Sequence, residues 1–171
     1  MTIRPLSTQD AHAYQTLRLQ ALQTNPDSYL STYESEKDKP TDAFAWEIRY
    51  AASPQLGGYY GLFTDAEPQE LIGYAQLDPS QLPKQQHTAA LFNLYVHPDH
   101  RHQGHAKKLI SHITDLAKQH GIEQIFINCN RKNQPAQKLY QSLGFTEYGV
   151  KSKAVKWQGE YDDEVQMVKE L

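Results

Sequence analysis

The spacing of hydrophobic positions changes several times along the chain, and each change marks an element. Ile3 opens a short edge strand that Pro5 ends. Ala13, Leu17 and Ala21 then recur at helical spacing behind a Ser7-Thr8-Gln9-Asp10 cap and stop before Asn25-Pro26. A second helix is predicted from Thr41 to Ala52, with Phe44 and Ile48 on one face, whereas Tyr29 to Lys39 shows no clear period. Tyr59 to Phe63 and Glu70 to Leu77 read as a hairpin joined through Asp65-Ala66-Glu67-Pro68. Asp78 to Gln86, with Pro79, Pro83 and several glutamines, reads as a surface loop.

The second half of the chain is more sharply patterned. Thr88 to His97 is a largely apolar strand that breaks at Pro98 and crosses a polar loop. From Gly104 onward Ala106, Leu109, Ile110, Ile113, Leu116 and Ala117 fall at helical spacing. Gly121 caps that helix, and Ile122 to Cys129 returns as a β-rich strand. Asn133 to Leu143 predicts a helix that Gly144 ends. Phe145 to Val155 and Tyr161 to Lys169 predict a final antiparallel pair around Gln158-Gly159. The order is β α α β β β α β α β β. A chain of 171 residues is long enough to bury about 70% of its unfolded surface, so one domain spanning 1–171 is expected.

Composition narrows the function. The net charge is −3 and the 17 basic residues are scattered, which argues against a nucleic-acid surface. Cys129 is the sole cysteine, so no internal disulfide can form; it reads either as a buried small hydrophobe or as a thiol nucleophile. The stretch Met1-Thr2-Ile3-Arg4-Pro5 contains no apolar leader, and no later run is long enough to cross a bilayer. No membrane association and a cytoplasmic location are expected.

The strand-loop-helix junction around Gly104 carries the chemistry. The first amides of a helix lack intrahelical partners and point, with the positive end of the dipole, into the preceding loop. Gly104 lets an anion approach the backbone and Arg101 adds a forked cation, so a pyrophosphate would fit. Val96-x-Pro98-x-x-Arg101-x-x-Gly104-x-Ala106 matches neither a dinucleotide fingerprint nor a P-loop. It resembles the acetyl-CoA pyrophosphate loop of the GNAT superfamily of N-acetyltransferases. A second block, Asn133-Gln134-Pro135-Ala136-Gln137-Lys138-Leu139-Tyr140-Gln141-Ser142-Leu143-Gly144-Phe145, is similar to the family's N-x-x-A-x-x-L-Y-x-x-x-G-F hallmark at every fixed position.

The resemblance implies a mixed α/β fold: a central, mostly antiparallel sheet of about six to seven strands flanked by about four helices. The strands around Val96 and Ile127 would splay to admit the pantetheine arm. It further implies acetyl-CoA as cosubstrate. Main-chain groups of Leu94, Tyr95 and Val96 would bind the pantetheine and the oxyanion. The loop amides of His102, Gln103, Gly104, His105 and Ala106, with Arg101, would take the pyrophosphate. Asn133 would cap its helix and bond the pantetheine, and Lys107 and Lys132 would reach CoA phosphates. Tyr140 is the expected general acid, because a phenol of pKa about 10 protonates a thiolate of pKa about 8.5 at a cost of roughly 2 kcal/mol. The expected reaction is direct attack by a primary amine in a ternary complex. A GNAT-shaped acyl-CoA binder or sensor with weak turnover is the alternative.

The acceptor side is less defined. An alkylamine of pKa about 10.4 is neutral about once in 10³ at pH 7, a deficit near 4–5 kcal/mol, whereas an α-amino group of pKa about 8 loses barely 1. Many family members carry a glutamate six residues before the valine of the V-x-P segment; here that residue is Ala90. Glu34, Tyr33, Asp78 and His87 are the replacement candidates for a base. His97, His100, His102 and His105 lack a ligand pair at helical spacing, so no metal is expected and the rings instead add pH-dependent positive charge. The segments Arg18 to Leu22 and Gly159 to Glu164 look like those of bacterial GNATs, whose acceptors include small-molecule amines and peptide N-termini. The resemblance also allows a homodimer through the C-terminal strands.

Overall fold

A computed structural model of the protein describes residues 1–53 and 56–171. Among these residues seven strands form one sheet: β1 (Thr2–Pro5), β2 (Gly58–Phe63), β3 (Leu71–Pro79), β4 (Thr88–Val96), β5 (Gln124–Asn130), β6 (Thr146–Trp157) and β7 (Glu160–Glu170). The sheet order is β1-β2-β3-β4-β5-β7-β6. Every neighbouring pair is antiparallel except β4 and β5. That exception follows from the connection, because α4 (His105–Gln119) carries the chain back across the sheet before β5 begins. The other helices are α1 (Ala11–Thr24), α2 (Tyr33–Glu36), α3 (Thr41–Ala51) and α5 (Gln134–Ser142).

Alternation along the strands builds a core on each face of the sheet. Tyr60, Leu77, Leu91, Ile125, Ile127 and Met167 pack with Leu109, Ile110 and Ile113 of α4 and with Tyr140 of α5. Tyr59, Phe63, Tyr74 and Tyr95 pack instead with Tyr14 and Leu17 of α1 and Phe44 and Ile48 of α3. Each fully buried Leu, Ile or Phe contributes about 1.5–3 kcal/mol of transfer free energy.

Three local features refine the sequence reading. The aperiodic stretch after α1 contains α2, a single turn too short to show a period. Thr32 caps it by accepting from the Ser35 amide, and Ser35 Oγ accepts from the Thr32 amide in return. Ile122 lies outside β5 because its amide returns to the Ala117 carbonyl while the Gly121 amide bonds Lys118, a Schellman closure of α4 with Gly121 at φ +80°. Its side chain is nevertheless buried. The β6–β7 hairpin turns on Gln158 (φ +48°) and Gly159 (φ +88°), the double left-handed geometry that suits the twist of paired strands.

β4 and β5 pair only from Thr88 to Ala90 against Gln124 to Phe126. Beyond Ala90 the two strands part. Three residues further on β4 carries a bulge: Gln76 faces Phe92 and Tyr74 faces Tyr95, so Asn93 and Leu94 together oppose Ala75. Asn93 holds a left-handed φ of +52°. The divergence positions the site.

Candidate active site

The opening between β4 and β5 is a cleft of about 110 Å³ lined by Leu91, Asn93 and Leu94 on one side and Asn128, Cys129 and Asn130 on the other. Asn133, Ala136 and Tyr140 of the α5 region form its floor, with Ser28 and Tyr29 across it. The unpaired edge of β4 leaves every second main-chain group from Leu91 to Val96 facing this gap. A chain with amides and carbonyls of its own could pair there as a strand would.

One end of β4 leads into the phosphate-type loop. His102 (φ +60°) and Gly104 (φ +77°) both take left-handed backbone, which turns successive amides toward one side. A Cβ built on Gly104 meets nothing within 4 Å, so the space over this turn is open. The first hydrogen bond of α4 runs from the Lys108 amide to the Gly104 carbonyl, leaving the amides of His105, Ala106 and Lys107 free at the positive end of the helix. No acidic residue occupies the first turn of α4. His105 contributes a buried Nε2 that has no partner among the described residues. These residues fit a pyrophosphate.

Arg101 sits differently from the other loop residues. Its Nε donates to the Val96 carbonyl at 2.9 Å and one Nη to Asn25 Oδ1 at 2.8 Å, with the guanidinium 5.3 Å from the Tyr95 ring centroid. It therefore fastens the loop to the end of β4 and to the segment after α1. Lys107 is exposed at the helix start, and the Lys132 ammonium pairs with Asp162, whose carboxyl is held below the usual range chiefly by that contact.

The segment from Thr24 to Tyr29 bridges both lips of the gap. Thr24 Oγ1 lies 2.9 Å from the Tyr95 hydroxyl, and the Tyr29 hydroxyl donates to the Leu94 carbonyl at 3.2 Å. From the other side Asn130 Nδ2 donates to the Asp27 carbonyl at 3.3 Å, and Asn133 Nδ2 donates to Ser28 Oγ at 3.1 Å. Asn133 also caps α5, its Oδ1 accepting from the Ala136 amide at 3.1 Å.

Tyr140 is 7% exposed. Its ring packs edge-on to Phe145, with centroids 5.9 Å apart. Burial pushes its hydroxyl well above the ordinary phenol range, so it carries its proton throughout the neutral region. Burial also pushes the neighbouring Cys129 thiol up to about 11, which keeps it protonated and a poor nucleophile at neutral pH.

Behind the bulge lies a polar network that the periodicity of the sequence did not reveal. Arg18 and Glu36 are both buried and form a forked pair, Nε to Oε2 at 3.1 Å and Nη2 to Oε1 at 3.0 Å. Asn93 Oδ1 accepts from Arg18 Nη1 at 3.3 Å. Asn93 Nδ2 donates to Gln76 Oε1 at 2.8 Å and to the Tyr59 hydroxyl at 3.2 Å. The Tyr59 and Tyr14 hydroxyls both donate to Glu47 Oε1, at 2.5 and 2.9 Å. Two signals in the sequence mark this network: an arginine inside the apolar stripe of α1, and an asparagine interrupting the apolar run of β4.

Residues 19–145 match the model of the acetyltransferase (GNAT) family. The chain belongs to the GNAT family. Over 63 residues it is 38% identical to a [ribosomal protein bS18]-alanine N-acetyltransferase of Haemophilus ducreyi, covering 37% of this chain and 43% of that protein. Over 99 residues it is 35% identical to the L-amino acid N-acyltransferase MnaT of Escherichia coli, covering 57% and 56%. The chain thus spans about half the length of these curated relatives. In three dimensions it is similar to yncA of Salmonella typhimurium, solved with acetyl-CoA, at a TM-score of 0.77 and 22% identity over 100% of this chain and 94% of that one. This last likeness speaks for the GNAT fold.

In this GNAT chain the expected cleft residues Leu94, Asn133 and Tyr140 are brought together, whereas the candidate bases are not. Glu34 is 73% exposed and its carboxylate pairs with Lys37. Asp78 and His87 are exposed, and neither they nor Tyr33 belong to the cleft lining. No carboxylate lines the cleft among the described residues. Nor, among the described residues, are three His, Cys, Asp or Glu side chains grouped to hold a metal ion. No helix among the described residues is long and apolar enough to cross a membrane.

Proposed function

We propose that this protein transfers an acetyl group from acetyl-CoA to an α-amino group, of a free amino acid or a peptide N-terminus, by direct attack in a ternary complex. Two observations carry the reading: the cleft between β4 and β5, lined by Leu94, Asn133 and Tyr140, and the open amides at the start of α4, in the loop that follows β4. The amides from His102 to Lys107 would hold the pyrophosphate. The free edge of β4 at Leu94, Tyr95 and Val96, with Asn133, would align the pantetheine, and main-chain N–H groups of that edge would bind the developing oxyanion. The amine nitrogen adds to the carbonyl carbon, and the resulting oxyanion collapses as the carbon–sulfur bond breaks. The proton of Tyr140 goes to the departing sulfur, the amine's surplus proton leaves to water, and Tyr140 regains a proton from water before the next turnover.

Burial weakens the Tyr140 acid relative to free phenol, and a thiolate released beside it would be disfavoured by the same burial, which acts to narrow the proton-transfer gap. Among the described residues the cleft lining offers no carboxylate to deprotonate a strongly basic amine. A peptide N-terminus avoids that need, since its deprotonation at pH 7 costs about 1 kcal/mol against about 4–5 for an alkylamine, and the more basic amino group of a free amino acid lies between the two. The names of the relatives, which specify ribosomal-protein alanine and L-amino acids, support the same class.

The same missing carboxylate also favours a second reading, an acyl-CoA binder with little turnover. Thiol release from acetyl-CoA should separate the two, using L-amino acids, short peptides with free N-termini, and polyamines, from about pH 6 to 9. The expected result is release with α-amino acceptors that rises with pH and levels near the acceptor's own pKa. Tight acetyl-CoA binding without amine-dependent release would establish the binder instead. Faster turnover of polyamines than of α-amines would overturn the acceptor class.

A further inference from the structure

We propose that Asn93 is a positioning residue for catalysis: its side chain locks the β4 bulge so that the main chain beyond it presents its N–H groups to the reacting carbonyl. The inference rests on the acetyl-transfer reading given above.

Three observations converge on this residue. First, Asn93 occupies a left-handed conformation (φ +52°) where two residues of β4 face one of β3, in the part of β4 that has already parted from β5. Asparagine tolerates this region better than other non-glycine residues, but it is still an uncommon conformation that its surroundings must hold in place. Second, its amide is engaged from three elements at once: α1 through Arg18, β2 through Tyr59 and β3 through Gln76. Both amide hydrogens and the carbonyl oxygen are used, so rotation about the side chain would break every contact together. Third, the outer members of this network are themselves anchored. Arg18 is held by the buried Glu36, and Tyr59 is held by Glu47, which Tyr14 also supports.

The residue lines the cleft together with Leu94 and Tyr140. Its own polar atoms are spent on the protein, which distinguishes it from a group that binds the acceptor. What it controls is the peptide plane that follows. Oxyanion donors act only when aimed at the place where charge develops, and a displacement of about 1 Å costs on the order of 10²-fold in rate. The remote glutamates thus serve the reaction without touching it. They fix Arg18 and Tyr59, which fix Asn93, which fixes the strand.

Asn93→Ala removes all three bonds, and Asn93→Gly removes them while still favouring the left-handed backbone. Tyr59→Phe deletes only the hydroxyl between Asn93 and Glu47. Acetyl-CoA affinity would be measured by calorimetry, and kcat and KM with the best α-amino acceptor of the panel, on the full chain. The expected result is a fall in kcat of at least tenfold for Asn93→Ala, with acetyl-CoA affinity within about threefold of the parent. Asn93→Gly should recover part of the loss. The kcat effects of Asn93→Ala and Tyr59→Phe should be less than additive in the double variant, because both release the same bulge. If Asn93→Ala keeps the parent kcat, or changes only the acceptor KM, the proposal fails while acetyl transfer stands. If the unaltered protein shows no amine-dependent release, the acetyl-transfer reading fails first. Should Asn93→Ala not fold, the Tyr59→Phe variant decides alone: an unchanged kcat overturns the proposal and a lowered kcat at constant acetyl-CoA affinity supports it.

Discussion

In the proposed reaction Tyr140 protonates the departing thiolate and Gly104 opens the α4 amides to the pyrophosphate, and substitutions should separate the two contributions. Tyr140→Phe removes a proton donor but no packing, since the ring remains against Phe145. We expect kcat to fall about 10²-fold with acetyl-CoA affinity nearly unchanged, the low end of what general acid catalysis contributes. Gly104→Val serves as the converse control. It forces a β-branched residue into φ +77° and fills the open space above the α4 amides, so calorimetry should show acetyl-CoA binding lost. A Tyr140→Phe enzyme with parental kcat would reduce that residue to packing. Both candidates come from the sequence alone, because each sits at a fixed position of a motif. Asn93 was not: it belongs to no motif, and its partners Arg18, Tyr59 and Gln76 come from elements far apart in the chain.

At the scale of elements, the regular pieces were read well from periodicity, and the departures share a physical cause. α2 is a single turn, held by a Thr32–Ser35 box, so no hydrophobic repeat could announce it. Its purpose is tertiary, for it delivers Glu36 to Arg18 across α1. Sequence reasoning placed the exposed Glu34, and not Glu36, among its four candidate bases, because charge alone does not show which way one turn of helix faces. The buried pair makes a stability prediction. Burial works to raise the Glu36 carboxyl, but the Arg18 fork outweighs it and holds the group below its ordinary range. A lowered carboxyl contributes its full stability above the unfolded value of about 4.3 and loses it as pH falls through the folded value. Glu36→Gln should therefore cost about 3 kcal/mol near pH 7, because a buried guanidinium is left without its counter-charge, and the deficit should shrink below about pH 4. Urea unfolding of both proteins across that range measures it; a deficit independent of pH would mean that the carboxylate charge is not what Arg18 requires.

For the molecule as a whole, the sheet is continuous in order but not in strength. Residues of β1 to β4 and of β5, β7 and β6 are joined by ladders along most of their lengths within each group. Between the groups, only Thr88 to Ala90 and Gln124 to Phe126 connect. The fold was legible at this scale because two motifs in fixed order specify the β4-α4-β5-α5 unit. The limited pairing of β4 with β5 follows from backbone geometry, which no side-chain pattern records.

That short junction is a seam. Mechanically the protein is two plates stitched at one end, with the side-chain bonds of Thr24 to Tyr29 laid across the open end. A ligand that pairs with the free edge of β4 supplies the missing stitches and couples the plates. In hydrogen exchange, amides of Leu91 to Val96 and Ile127 to Asn130 should be the sheet positions whose protection rises most on adding acetyl-CoA. Global stability should rise by about 2.7 kcal/mol at a hundredfold excess over Kd. Uniform protection across the sheet would show the plates to be already welded. The cosubstrate would then be a passenger in a rigid body; with the seam, it becomes a structural member for as long as it stays bound.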